Sequence, residues 1–167
     1  AAVWAVAQGG PGAFEPLSRH LAQERSRTVR ETLLANLWRI EGGPWQAIAA
    51  SYAGDDDVHL RRAAAYSLSR SGDETARDAQ RRFLSDSEPV IRATALRGFE
   101  RGTLGEKDVA VLQIALDDSD WRVQAAACRA LAAQDPVALS PEGAKKVVAA
   151  FSSPHPHLAV SAVAAAA

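Results

Sequence analysis

One pattern recurs through the 167 residues of this chain at intervals of about 31 residues. The stretch DSEPVIRATALRGFERG begins at Asp86, and related stretches begin at Glu24, Asp55, Asp118 and Ser153. The apolar residue that precedes the shared arginine marks the phase of each copy. These markers are Val29, Leu60, Ile91, Val123 and Leu158, which lie 31, 31, 32 and 35 residues apart. Such a period is typical of repeat proteins, in which each unit is one supersecondary element.

The apolar residues of each unit predict two helices. Small or apolar side chains stand four and eight positions after each marker, as Ala95 and Phe99 do in the third unit. Offsets of 0, 4 and 8 fall on one stripe of an α-helix, whereas a strand would need alternation. A second periodic segment precedes the marker, here Ala76, Ala79 and Phe83. Because the connection between the segments is short, we expect an antiparallel helical hairpin.

A single hairpin of this size cannot bury its apolar stripes, so neighbouring hairpins must stack. We therefore predict an all-α array of about five hairpins that covers residues 1–167 as one domain. The predicted units are 11–42, 43–72, 73–102, 103–135 and 136–167, and residues 1–10 are interpreted as the tail of a preceding unit. Because the sequence begins inside a predicted helix, we expect it to be part of a longer protein.

Two polar columns recur with the same period. An aspartate stands five positions before three of the markers, and an arginine follows three of them directly. The aspartates are Asp55, Asp86 and Asp118, and the arginines are Arg30, Arg61 and Arg92. In a stack of hairpins these columns face each other, so we expect an Asp–Arg ladder along the array with a structural role.

This combination resembles the HEAT repeat, including its lyase-type bacterial subgroup. The shared features are an aspartate, an apolar residue with its arginine, an alanine pair, a leucine and a closing glycine. The last unit departs from it, having lost both the aspartate and the arginine. The resemblance implies a right-handed α-solenoid whose second helices line the concave face.

Charge is sorted between the predicted helices. The predicted second helices carry ten arginines and few acidic residues, although the whole chain has a net charge of −1. The resemblance therefore implies a basic concave surface. Arginine and aromatic side chains together are typical of protein-binding hot spots. The predicted partner-binding residues are Trp38, Arg39, Arg62, Tyr66, Arg70, Arg97, Arg101 and Arg129.

The sequence favours a non-catalytic scaffold that binds an acidic protein or peptide, with no cofactor. One alternative is an accessory array of a larger enzyme, because the run LRRAAAYSLSR resembles units in peptidyl-prolyl isomerase fusions and the lyase-type subgroup helps to attach bilins. The other alternative is nucleic-acid binding through the arginines. No metal or membrane partner is predicted, since His155 and His157 lack a third ligand and no long apolar run is present. The single cysteine, Cys128, is compatible with a reducing compartment and is interpreted as a small buried residue.

Overall fold

The computed structural model describes residues 14–40, 44–134 and 139–166. These ranges contain ten α-helices and no strand. The helices are α1 (Phe14–Gln23), α2 (Arg27–Ala35), α3 (Trp45–Ser51), α4 (Val58–Leu68), α5 (Glu74–Gln80), α6 (Pro89–Leu96), α7 (Glu106–Ala115), α8 (Trp121–Ala132), α9 (Pro141–Ala150) and α10 (Pro156–Ala166). None of the helices in these ranges has the length and apolar character needed to cross a bilayer.

Single 3₁₀ turns extend four of the helices. They are Leu37–Arg39 after α2, Tyr52–Gly54 after α3, Arg81–Phe83 after α5 and Arg97–Glu100 after α6. Such tightened turns are common where an α-helix ends. They lengthen α2 and α6 to approximately the span that the apolar periodicity predicts.

The even-numbered helices, called the second helices below, form a continuous stack. α2 packs on α4, α4 on α6, α6 on α8, and α8 on α10. The odd-numbered first helices lie beside them, with α3 against α4, α7 against α8 and α9 against α10. The predicted α-solenoid of about five stacked hairpins is thereby confirmed. The predicted tail at residues 1–10 lies outside the described residues.

The packed row of the second helices follows the predicted offsets. All five residues four positions after the markers are buried: Leu33, Ala64, Ala95, Ala127 and Ala162. Small side chains in this row allow adjacent second helices to approach closely, while Leu68 and Phe99 fill the wider spaces further along. Val29 is an exception because it is 36% exposed in the first hairpin. The other four markers are buried.

The buried apolar residues form two clusters that meet inside α6. One cluster extends from Leu17 to Ala95, and the other extends from Leu96 to Ala162. The partly buried Leu84 packs against both clusters. The hydrophobic core therefore extends along the array, between neighbouring hairpins, as expected for a solenoid.

Two glycines close the second and third units by approaching each other. Gly102 has φ of +70°, which suits a glycine at a helix end. Gly102 is the only described residue with a positive φ, so Gly72 has a different requirement. A Cβ atom on Gly72 would instead lie 2.9 Å from Arg101 Cβ. Gly72 is thus required by close contact between units, which a single-unit motif does not reveal.

Candidate partner-binding surface

Three ion pairs each connect a second helix to the turn that precedes the next second helix. Arg61 Nε lies 2.8 Å from Asp86 Oδ2, and Arg92 Nη2 lies 2.7 Å from Asp118 Oδ1. The first pair is looser, with 3.7 Å between Arg30 Nη2 and Asp55 Oδ2. In each pair the arginine belongs to one unit and the aspartate to the next. The columns noted in the sequence thus meet across the unit boundaries.

Each ladder aspartate also organises its own turn. The backbone N–H groups of Asp57, Glu88 and Asp120 each donate to the side chain of the aspartate two residues earlier, at 2.9 Å. Arg61 Nη1 in turn donates to the Asp55 carbonyl oxygen at 2.9 Å, and Arg92 Nη1 to that of Asp86 at 2.8 Å. Each of these arginines therefore joins its own turn to the turn of the following unit. These two structural contacts explain why an arginine recurs at this position of the repeat, and no role in binding is needed.

In the fourth unit, Gln124 stands where the earlier units have the ladder arginine, so the last junction has no ladder ion pair. Gln124 Nε2 donates to the Asp118 carbonyl oxygen at 2.7 Å. In the next unit the Ser153 hydroxyl accepts from the His155 N–H at 3.2 Å. The last unit therefore keeps the turn although it has no ladder charges.

The ladder predicts a dependence of stability on acid. Burial alone would raise the pKa of the Asp118 carboxyl, but hydrogen bonds from Arg92 and the Asp120 N–H hold it below its usual value. The stabilisation is therefore complete above the unfolded-state pKa of about 3.9 and is lost as pH falls through the lower folded-state pKa. Urea denaturation from pH 7 to pH 2.5 should show that Asp118→Asn lowers stability by a constant amount above about pH 5, and by progressively less below about pH 4. A difference independent of pH over the whole range would contradict this assignment.

A second set of arginines surrounds Trp38 on the second-helix surface. The Arg39 and Arg70 guanidinium carbons lie 4.5 and 4.8 Å from the centre of the Trp38 ring. The backbone N–H of Trp38 donates to Ser67 Oγ at 3.0 Å, which connects this residue to α4 of the next unit. Arg39 Nε also donates to Asn36 Oδ1 at 3.0 Å. Two cations are thereby held close together on an aromatic surface, an arrangement we call the Trp38 cluster.

Most arginines predicted to bind a partner have no acidic partner in the part of the chain that the structure describes. Throughout residues 14–40, 44–134 and 139–166, no carboxylate oxygen lies within 4.0 Å of the guanidinium nitrogens of the following five. They are Arg39, Arg62, Arg70, Arg97 and Arg101, and all are exposed. Tyr66 is also exposed on α4. Arg129 differs because its Nε lies 3.3 Å from Glu100 Oε1.

An open groove of about 660 Å³ crosses the surface of α6, α8 and α10. Arg97 and Arg129 line it near the C-terminal ends of α6 and α8, whereas Trp121 lines it at the N-terminal end of α8. Val90 and Val160 contribute apolar walls. The structure thus places Arg39 and Arg70 in the Trp38 cluster, and Arg97 and Arg129 at this groove. Arg62 and Tyr66 lie on α4, and Arg101 follows the 3₁₀ turn after α6, outside the lining of the groove.

Comparison with solved structures places the chain among helical-repeat solenoids. A designed armadillo repeat protein in complex with the peptide (KR)4 matches with a TM-score of 0.65 and 15% identity, over 99% of this chain and 89% of the other. A second designed armadillo repeat protein matches with a TM-score of 0.62 and 17% identity, over 98% and 89%. No protein-family model matches the chain, and no curated protein matches it in sequence. At these identities the likeness shows the fold.

Sequence reasoning missed an aromatic stack at the end of the groove. The Trp121 ring lies 5.0 Å from the His155 ring and 6.1 Å from the His157 ring, centre to centre, with interplanar angles of 14° and 13°. Trp121 and Pro156 both stand two residues before their markers, so the period alone brings the start of α10 to Trp121. The histidines therefore support the indole from the neighbouring unit.

A buried ion network between first-helix segments was also missed. Asp108 is buried, and its Oδ2 lies 3.2 Å from Arg77 Nε, while Arg81 contacts Oδ1. The Gly105 N–H also donates to Asp108 Oδ2 at 3.0 Å. Arg77 and Asp108 are 31 residues apart, which is one period. The 31-residue spacing could therefore have indicated this pair, but within residues 14–40, 44–134 and 139–166 the pair occurs at only one junction.

Cys128 lies on α8, directly after Ala127 of the packed row, and is fully buried. Burial raises the pKa of its thiol to about 11. A thiol with such a pKa is almost entirely protonated at neutral pH and is a poor nucleophile. Cys128 thus has the properties of a packing residue.

Proposed function

We propose that this chain is a scaffold that binds an acidic protein or peptide along its second-helix surface, without catalysing a reaction. The carrying observation is that five exposed arginines on this surface have no carboxylate partner in the described residues, whereas the ladder arginines do. We also propose that the units are HEAT-like and that this surface is concave. Two helices per unit support the HEAT-like assignment, since armadillo units contain three.

The chemistry of the surface supports an acidic partner. Arg39 and Arg70 lie on the same indole ring, so their like charges are held close together. A carboxylate placed between them relieves that repulsion and accepts charge-assisted hydrogen bonds. The (KR)4 peptide bound by the designed neighbour is basic. We propose the opposite peptide charge for this chain because its second-helix surface is rich in arginine.

Charge reversal at the Trp38 cluster tests the proposal. A fluorescein-labelled (DE)4 peptide should bind the native chain, and Arg39→Glu combined with Arg70→Glu should weaken binding at least about tenfold. The reason is that two attractive charges become repulsive. Binding is measured by fluorescence anisotropy at 50 and 300 mM NaCl, because the electrostatic part weakens with salt. Circular dichroism verifies that the double variant keeps its helices.

The matched control is Arg19→Glu combined with Arg82→Glu, which changes the net charge equally at exposed positions of the first-helix side. It should leave affinity within about twofold, because these charges are distant from the binding surface and partly screened. Equal losses in the two double variants would show that only net charge matters and would overturn the proposed surface. Binding of duplex DNA but not of (DE)4 would favour the nucleic-acid alternative.

A further inference from the structure

The groove across α6, α8 and α10 combines chemistry that the Trp38 cluster does not have. Val90 and Val160 are exposed on its walls, and Val160 is 70% exposed. The Trp121 indole borders the same space, held against the two histidine rings of the next unit. Arg97 adds a guanidinium without an acidic partner in the described part of the chain. Exposed apolar side chains beside a free cation suit a ligand that carries both an apolar group and an anion.

The aromatic side chain and the arginines of the groove are separated along the helix axes. Trp121 stands at the first residue of α8, and Arg129 stands eight residues later. At 1.5 Å per residue this interval is about 12 Å. Arg97 stands at the same position of the repeat as Arg129, at the end of the neighbouring helix α6, so the same axial interval separates it from Trp121. An extended peptide advances about 3.3–3.6 Å per residue, so about three to four residues cover this axial interval.

We infer that this groove binds an acidic peptide segment that carries one large apolar side chain about three residues from a carboxylate. The apolar side chain packs between Trp121 and Val160, and the carboxylate pairs with Arg97. This inference rests on the proposed function and adds a specificity that the Trp38 cluster does not supply. Charge complementarity favours this occupant because the groove contains arginines and a hydrophobic wall together.

Glu100 is expected to weaken the binding of an acidic peptide in the groove. Its carboxylate lies 3.3 Å from Arg129 and therefore competes with a peptide carboxylate for that arginine. Removing the charge with Glu100→Gln should strengthen binding of the acidic peptide several-fold. Glu15→Gln, at an exposed position on α1, gives the same change in net charge far from the groove and should have little effect.

The test compares two labelled peptides on the native chain, (DE)4 and the same peptide with one central residue replaced by phenylalanine. The phenylalanine peptide should bind about tenfold more tightly, since the buried ring adds hydrophobic stabilisation. In serine-rich peptides with one phenylalanine and one pair of glutamates, a separation of three residues should bind more tightly than a separation of seven.

Two valines on α10 provide a matched pair of variants. Val160 lines the groove, whereas Val163 is 57% exposed on the same helix and does not line it. Val160→Ser should reduce the advantage of the phenylalanine peptide, and Trp121→Ala should abolish it. Val163→Ser should leave it unchanged. Circular dichroism and thermal melting of each variant exclude unfolding as the cause.

The outcomes distinguish this inference from the proposed function. If (DE)4 binds and the phenylalanine peptide binds no more tightly, the groove inference is overturned while the acidic-partner proposal stands. If the advantage is equal in Val160→Ser and Val163→Ser and survives Trp121→Ala, the apolar side chain binds elsewhere. If neither peptide binds the native chain, the proposed function fails and the inference fails with it.

Discussion

Replacing Asp86 with alanine is expected to lower the free energy of unfolding by about 3–5 kcal/mol, the range for removing one member of a buried ion pair. The Asp86 side chain is only 2% exposed, and Arg61 opposite it is 14% exposed. Without the carboxylate, the Arg61 guanidinium keeps its charge in a poorly hydrated place. The N–H of Glu88 also loses its acceptor.

Another aspartate of the ladder, Asp55, provides a matched comparison for Asp86→Ala. Asp55 and Arg30 form the equivalent pair in a more exposed place, 26% and 30% exposed, with a separation of 3.7 Å. Exposed ion pairs contribute about 0–1 kcal/mol, so Asp55→Ala should cost mainly the hydrogen bond within its turn. We therefore expect Asp86→Ala to be clearly more destabilising than Asp55→Ala. The two substitutions remove the same atoms from the same position of the repeat.

Urea denaturation followed by circular dichroism measures both effects. Asp86→Asn serves as a further variant, since the amide oxygen still accepts from the Glu88 N–H and only the charge is lost. Asp86→Asn should therefore lower the free energy of unfolding, but by less than Asp86→Ala does. If Asp86→Ala costs no more than Asp55→Ala, burial does not strengthen the ladder pairs.

The repeat made much of the fold predictable from the sequence. Ala64, Ala95 and Ala127 occur at the same offset in three units, so their common burial follows from the period. The same logic applies to Asp86 and Arg61, because columns in consecutive units must lie side by side in a stack. Residues that recur therefore reveal contacts between units.

Contacts that occur only once were not predictable in this way. Arg97 and Arg129 share one position of the repeat, yet only Arg129 has Glu100 within reach. Which arginine is free depends on side-chain geometry at one junction. The buried Asp108 was overlooked for a related reason, since its pairing with Arg77 is not repeated elsewhere in the described part of the chain. The sequence thus indicated the arginine-rich surface, while the three-dimensional structure distinguishes its free and paired arginines.

Replacing Phe99 with alanine is expected to cost about 3–5 kcal/mol, and the loss should be concentrated in the second half of the chain. Phe99 is fully buried and belongs to the apolar cluster that extends from Leu96 to Ala162. In a solenoid each unit contacts only its neighbours, so the damage stays near the affected junction. Helices α7 to α10 should therefore lose more stability than α1 to α4.

Hydrogen exchange of backbone amides locates the effect, because it measures local opening free energies. Amides of α8 should exchange faster in Phe99→Ala, while those of α4 keep most of their protection. Val163→Ala removes apolar atoms from an exposed position of the second half and should change stability by no more than about 0.5 kcal/mol. Equal loss of protection in α4 and α8 would mean that the two clusters unfold as one unit. In that case Leu84, which packs against both clusters, joins them more tightly than nearest-neighbour coupling predicts.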